Sequence, residues 1–231
     1  MEKIALVTGT NRGIGLEISK QLAANGITVI MTARNMHIGR PLVNELRKRW
    51  KNIWYHQLDV TDETSIIDLY HYLDGDCGKL DILVNNAGVY LDENQSILDV
   101  DLDTMKATMA INFYGPLRLV QVLLPLLNKS NDPRIINLSS TMGQLTAMGS
   151  GSAAYRISKT ALNTLTVILS NELAGTGVKI NSVHPGWVKT DMGGPVATRS
   201  IPEGAETIVW LATADEIPNG KFVYDRKIID W

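Results

Sequence analysis

Thr8-Gly9-Thr10-Asn11-Arg12-Gly13-Ile14-Gly15 follows the apolar run Ile4-Ala5-Leu6-Val7 and opens into an amphipathic stretch. This is a strand, a glycine turn and a helix in immediate succession. Gly9 permits a tight turn, Gly13 leaves room for a bulky anion, and Gly15 lets the helix lie close to the strand. Asn11, Arg12 and Ile14 fill the turn between them. The helix that follows offers unpaired N–H groups and a positive dipole end, a ready site for a pyrophosphate. A glycine turn by itself is a weak signal, but one placed between a strand and a helix is a strong one.

The pattern repeats outward from this point. Strand-like apolar runs at 3–8, 27–32, 53–57, 80–84, 134–138, 179–184 and 221–224 alternate with helical patterns at 13–25, 38–49, 62–73, 103–128, 153–174 and 202–214. Such alternation predicts an α/β fold of the Rossmann type: a doubly wound parallel sheet of about seven strands with helices on both faces. The strands are apolar throughout, as strands covered on both faces are. Asp62 and Asp101 mark helix starts, where acidic residues complement the positive helix end. One catalytic and dinucleotide-binding domain over 1–231 is expected, with a Pro/Gly-rich segment at about 187–202 as a substrate flap.

Composition narrows the function classes. Of 231 residues, 45% are apolar and 20% charged, and the net charge of −2 argues against a nucleic-acid partner. Cys77 is the one cysteine, so no internal disulfide forms, which suits a reducing, cytoplasmic setting. Glu2 ahead of a short apolar run does not read as a secretory signal, and the apolar stretch near 120–127 is too short to span a bilayer. The histidines are scattered, with no metal-ligand spacing, and His184 reads as a structural residue at a strand end.

The chemistry sits at the strand ends. Met31-Thr32-Ala33-Arg34-Asn35 lacks the acid that would bond a free ribose, while Arg34 lies 19 positions past Gly15, and Arg12 lies in the turn itself. Two guanidinium groups suit a 2′-phosphate, so NADP(H) is expected over NAD(H). Asp59-Val60 ends the third strand, and Asn85-Asn86-Ala87-Gly88 ends the fourth, where small residues admit a ligand close to the backbone. Tyr155 and Lys159, four apart on a helical segment, share one face. A neighbouring ammonium favours the phenolate and suits the tyrosine to acid–base work. Ser140 closes the fifth strand, where its hydroxyl faces a developing alkoxide, and strand alternation turns Ser139 the other way. Asn112 stands inside a helix, an uncommon place for asparagine.

These motifs together resemble the short-chain dehydrogenase/reductase family, classical type. The string Pro185-Gly186-Trp187-Val188-Lys189-Thr190-Asp191-Met192, with residues 202–207 and 220–223, resembles its NADPH-dependent carbonyl reductase branch. The resemblance implies a catalytic tetrad of Asn112, Ser140, Tyr155 and Lys159, with Asn112 holding a water in a proton relay. It implies that Asp59 and Val60 lie against the adenine. It also implies that Pro185, Gly186, Val188 and Thr190 line the nicotinamide. One departure stands out: counting back 13 positions from Tyr155, the usual family spacing, reaches Met142, and Ser140 lies 15 positions back. Two extra residues in the loop 143–152 account for it. The branch's insertion before the tyrosine is absent, leaving helix faces in 103–128 and 153–174 free to pair in a homodimer or homotetramer. Tyr90, Met142, Leu145, Trp187 and Met192 are candidates for the substrate wall. The expected reaction is NADPH-dependent reduction of a small-molecule aldehyde or ketone, with Tyr155 as general acid. A non-catalytic NADP(H)-binding sensor or scaffold is the alternative. A sugar-nucleotide epimerase would need more than the 76 residues that follow Tyr155.

Overall fold

The computed structural model describes residues 3–231; Met1 and Glu2, on which the reading of the amino terminus drew, lie outside the described residues. The strands are β1 (Ile4–Val7), β2 (Thr28–Ala33), β3 (Ile53–Gln57), β4 (Ile82–Asn85), β5 (Arg134–Leu138), β6 (Lys179–Val183), β7 (Lys221–Tyr224) and β8 (Lys227–Ile229). They form one sheet in the order β3-β2-β1-β4-β5-β6-β7-β8. The first seven are parallel, and β8 pairs antiparallel with β7. The seven expected strands are therefore joined by an eighth. It is a three-residue strand with two exposed positions, too short to show a periodic pattern.

The helices are α1 (Gly13–Ala24), α2 (Met36–Leu46), α3 (Glu63–Asp76), α4 (Leu102–Met109), α5 (Gly115–Leu127), α6 (Ala153–Glu172) and α7 (Ile201–Thr213). They cover both faces of the sheet. Along β1, Ala5 and Val7 join a core with Ile18 and Leu22 of α1, Val43 of α2, and Ile208 and Leu211 of α7. Ile4 and Leu6 face the opposite core, with Leu69 of α3 and Leu119 and Leu123 of α5. The strand period of two sends successive residues to opposite faces, so a strand packed on both sides must be apolar throughout.

Local signals set the helix starts. Asp62 accepts from the Thr64 N–H, Asp101 accepts from the Thr104 N–H, and Ser200 with Glu203 forms a capping box at α7. Between α4 and α5 one wide π-turn, Ala110–Tyr114, carries Asn112. The continuous run Leu102–Leu127, longer than the apolar stretch near 120–127, is by length and composition alone long and apolar enough to cross a membrane. In the fold its Leu119, Val120, Leu123, Leu126 and Leu127 are buried in the protein core.

Sequence order runs outward from β1 through β2 to β3, then jumps back to β4 on the other side of β1. That reversal opens a crevice at the carboxyl ends of β1 and β4, where open α/β sheets bind ligands.

Candidate active site

The crevice is a cleft of about 900 Å³. Its lining gathers Gly9, Asn11, Arg12, Gly13, Ile14, Gly15, Arg34, Asp59, Val60, Asn86, Ala87, Gly88, Tyr155, Lys159, Pro185, Thr190 and Met192. Residues from six separate stretches of sequence thus meet at one place.

At one end the glycine turn is sewn to the end of β4. The Asn86 side-chain amide donates to the carbonyl oxygens of Thr8 (2.7 Å) and Gly9 (3.1 Å). The Thr8 hydroxyl accepts in return from the N–H groups of Asn86 (3.0 Å) and Ala87 (2.9 Å). Asn86 therefore shapes the turn with its side chain. Its neighbour Asn85 donates its side-chain amide to the Asn137 side-chain oxygen of β5 at 2.8 Å. Gly9 and Gly13 have φ of +69° and +60°, in the left-handed region that favours glycine. A methyl group on Gly15 would overlap the Asn86 amide and the Gly9 carbonyl oxygen.

This cradle fits the phosphates of a dinucleotide. No side chain caps the start of α1, and its first turn holds no acid, so its N–H groups and dipole face the cleft uncompensated. At the rim, Arg34 is exposed and no acidic side chain ends β2. Asp59 bonds the Thr61 N–H (2.9 Å) and hydroxyl (2.7 Å), which fixes the turn after β3.

At the other end lie Tyr155 and Lys159, both buried on α6. The Lys159 ammonium donates to the Leu138 carbonyl oxygen at 2.7 Å and stands 5.7 Å from the centre of the Tyr155 ring. Burial pushes Tyr155 up to about 12, and a hydrogen bond from Ser140 pulls the other way. Burial brings Lys159 down to about 8. Both shifts are those of groups whose charged forms lose water, so Tyr155 is raised and not lowered as its neighbouring ammonium led one to expect: burial outweighs that charge. Ser140 thus neighbours Tyr155 from outside the cleft lining, and it is Ser139 that the lining includes, with its hydroxyl directed to the Lys159 carbonyl oxygen at 3.4 Å. The longer spacing from Ser140 to Tyr155 is taken up by two short helical turns, Thr141–Gly143 and Leu145–Ala147.

Asn112 lies behind the lining. Its side-chain oxygen accepts from the Val89 N–H at 2.9 Å, and its amide donates to the Val89 carbonyl oxygen (2.9 Å) and the Ser158 hydroxyl (3.0 Å). The side chain is fully engaged, so it ties the π-turn to the strand end and to α6.

Several expected contacts fall elsewhere. Val188 is 4% exposed and packs against Gly204 of α7, and Gly186 abuts the Arg199 side chain; neither lines the cleft. Both belong to a loop bridged from Val188 to Arg199, which draws it away from the cleft. Trp187 and Leu145 are exposed at 51% and 65% and do not reach the lining. Trp187 is held by a bond from its indole N–H to the Gly193 carbonyl oxygen at 2.7 Å. Met142 lies outside the lining too. Tyr90 packs on the Tyr155 ring, with centroids 4.7 Å apart, and its hydroxyl is tied to Ser152. His184 has no partner for its Nδ1, faces the Tyr224 ring at 4.9 Å, and is lowered to about 4 by burial and by Arg199. Asp92, unremarkable in sequence among the acids of 92–103, is buried against the start of α6. Among the described residues no cluster of ligating side chains could hold a metal.

Residues 3–200 match the family model for short chain dehydrogenase. The chain belongs to that family. This short-chain dehydrogenase is 33% identical to (+)-neomenthol dehydrogenase of Arabidopsis thaliana, over 99% of this chain and 98% of that protein. It is 32% identical to carbonyl reductase [NADPH] 1 of Sus scrofa, over 99% of this chain and 94% of the relative. Its fold superposes on NADPH-bound carbonyl reductase from chicken fatty liver with a TM-score of 0.90 and 31% identity, covering 100% of this chain and 99% of that one. The short-chain dehydrogenase is accordingly an oxidoreductase.

Proposed function

We propose that this chain reduces an aldehyde or ketone to an alcohol with NADPH. The observation that carries the reading is that Tyr155 and Lys159 line one cleft with a phosphate-shaped glycine turn, with the Ser140 side chain bonded to Tyr155. Bound NADPH would supply the hydride. The relatives named for NADPH, together with Arg12 and Arg34 at the rim and no acid at the end of β2, support that cofactor over NADH.

Tyr155 donates its proton to the carbonyl oxygen as negative charge develops there. Ser140 donates a hydrogen bond to the same oxygen, which stabilises the forming alkoxide. Lys159 holds a positive charge beside the Tyr155 ring and favours the phenolate that proton transfer leaves behind. Asn112 holds α6 and the π-turn in register, so that a proton path to Lys159 stays in place. Residues 187–202 act as a flap over the nicotinamide end. The exposed Trp187 and Met192 give that flap an apolar surface, which suits an uncharged, apolar carbonyl compound. Exposed Tyr114, Ile157 and Ile168 on the helices beside the site support pairing of two copies.

The test is NADPH consumption across aldehydes, ketones and quinones, with Tyr155→Phe as the blank. Turnover by the native chain and none by the variant is expected. NADPH binding without turnover on any compound would transfer the assignment to a dinucleotide sensor.

A further inference from the structure

The start of α6 has no cap of its own. Ser152 precedes the helix at φ +55°, and its side chain makes no capping bond. Its hydroxyl turns outward instead, to the Tyr90 hydroxyl (2.5 Å) and the Asn94 N–H (3.1 Å). The missing acceptor comes from a different loop. Asp92, fully buried, takes the Ala154 N–H at 2.5 Å and the Tyr155 N–H at 3.2 Å on its two carboxylate oxygens. The Ser152 N–H donates to the Gln95 carbonyl oxygen at 2.8 Å, and the Tyr90 ring rests on the Tyr155 ring. Residues 90–95 therefore clamp the first turn of the helix that carries Tyr155.

A carboxylate is costly to bury, and this one is held by backbone N–H groups at a helix N-terminus. Capping a helix needs only a hydroxyl or amide on the preceding residue. A buried acid brought from 62 positions away does more than that. It holds the main chain of Tyr155 itself at a fixed distance from the end of β4, the strand whose end lines the cofactor cleft.

We propose that Asp92 is a positioning residue for the reaction: by capping α6 from the loop after β4, it sets where the Tyr155 hydroxyl stands in the cleft. The inference rests on Tyr155 being the proton donor. It assigns Asp92 no contact with substrate.

The experiment compares Asp92→Ala and Asp92→Asn in the NADPH-loaded enzyme, with Tyr155→Phe alongside. Asp92→Ala should lose about tenfold to a hundredfold in kcat, the usual result of a misplaced catalytic group. Its Kd for NADPH, read by fluorescence titration, should stay within about twofold of the native value. Asp92→Asn keeps one acceptor oxygen for these N–H groups and should recover most of the loss. The proposal is overturned if Asp92→Ala keeps its kcat, if NADPH affinity falls in step with kcat, or if Asn rescues nothing. It is overturned as well if neither variant yields folded, NADPH-binding protein, because Asp92 is then a requirement of the fold. A still-active Tyr155→Phe overturns the underlying reading of the site; an inactive one beside a normal Asp92→Ala overturns this inference alone.

Discussion

The Arg12 guanidinium and the Asp191 carboxylate meet at 2.7 Å, joining the glycine turn to the flap across the mouth of the cleft. Both side chains are 72% exposed, so the pair contributes little to stability. Its place matters more than its strength. A methyl group on Gly13 would stand in van der Waals contact with the Thr190 side chain, so flap and turn lie close together where the phosphates of a dinucleotide would lie. Arg12 thus has two anionic claimants, Asp191 and the 2′-phosphate of the proposed cofactor.

Opposite effects on cofactor choice follow for the two rim residues. Asp191→Asn frees Arg12 and should tighten NADPH by roughly 1.5- to 5-fold, the worth of an exposed ion pair, with NADH unchanged. Arg34→Ala should weaken NADPH by about tenfold or more, the worth of a charge-assisted hydrogen bond, again sparing NADH. Titrations of both dinucleotides at low and high salt check this. Equal changes for NADPH and NADH would refute the 2′-phosphate assignment.

Lys159 should set function against stability. Its folded pKa of about 8 lies below the usual 10.5, so between these values the unfolded chain binds more protons. Stability contributed by this group therefore rises with pH across that window, and below about 8 the full burial cost applies, about 3 kcal/mol. Tyr155 works in the opposite sense, its shift from 10.0 to about 12 lowering stability as pH climbs through that range. At pH 7, Lys159→Met should abolish turnover yet raise stability by about 1–3 kcal/mol, the relief being reduced by the lost bond to Leu138. Urea melts at neutral pH and at pH 10 test it, and the gain should shrink at the higher pH. In the native enzyme, carbonyl reduction should decline above about pH 8 as the ammonium is lost.

The two serines at the end of β5 should separate cleanly. Ser140→Ala should cost about 10²–10³ in kcat, as loss of an oxyanion donor does, with NADPH affinity intact. Ser139→Ala should leave turnover near native, because its hydroxyl faces the Lys159 carbonyl. Steady-state kinetics on both variants decides the matter. A fully active Ser140→Ala would reassign the alkoxide contact.

Much of the architecture was legible because it rests on local rules. The glycine turn at 9–15 needs its glycines for φ and for close approach, and those demands are written into residue type. Apolar strands and capped helices are local in the same way. β8 was missed because its pairing, and not its composition, makes it a strand. The wide turn around Asn112 was missed as well, although Gly115-Pro116 directly after it marks the break in the helix. Of the residues expected to line the nicotinamide, Val188 packs on α7 and Gly186 abuts Arg199, because the flap bends back through its bridge from Val188 to Arg199, which no spacing reveals.

The sequence alone determined the order of strands and helices, the glycine turn, and which side chains are candidates for acid–base chemistry. Each depends on residue type and on spacings within a few turns of chain. The tertiary structure decided what those groups experience. Burial, which no local pattern encodes, moves Tyr155 and Lys159 away from their ordinary ionisation. Packing brings Asp92 under Tyr155 and Asp191 against Arg12, across separations of 63 and 179 positions. Such pairs form only when the sheet twists and closes its cores, because that is what brings distant loops together at one crevice.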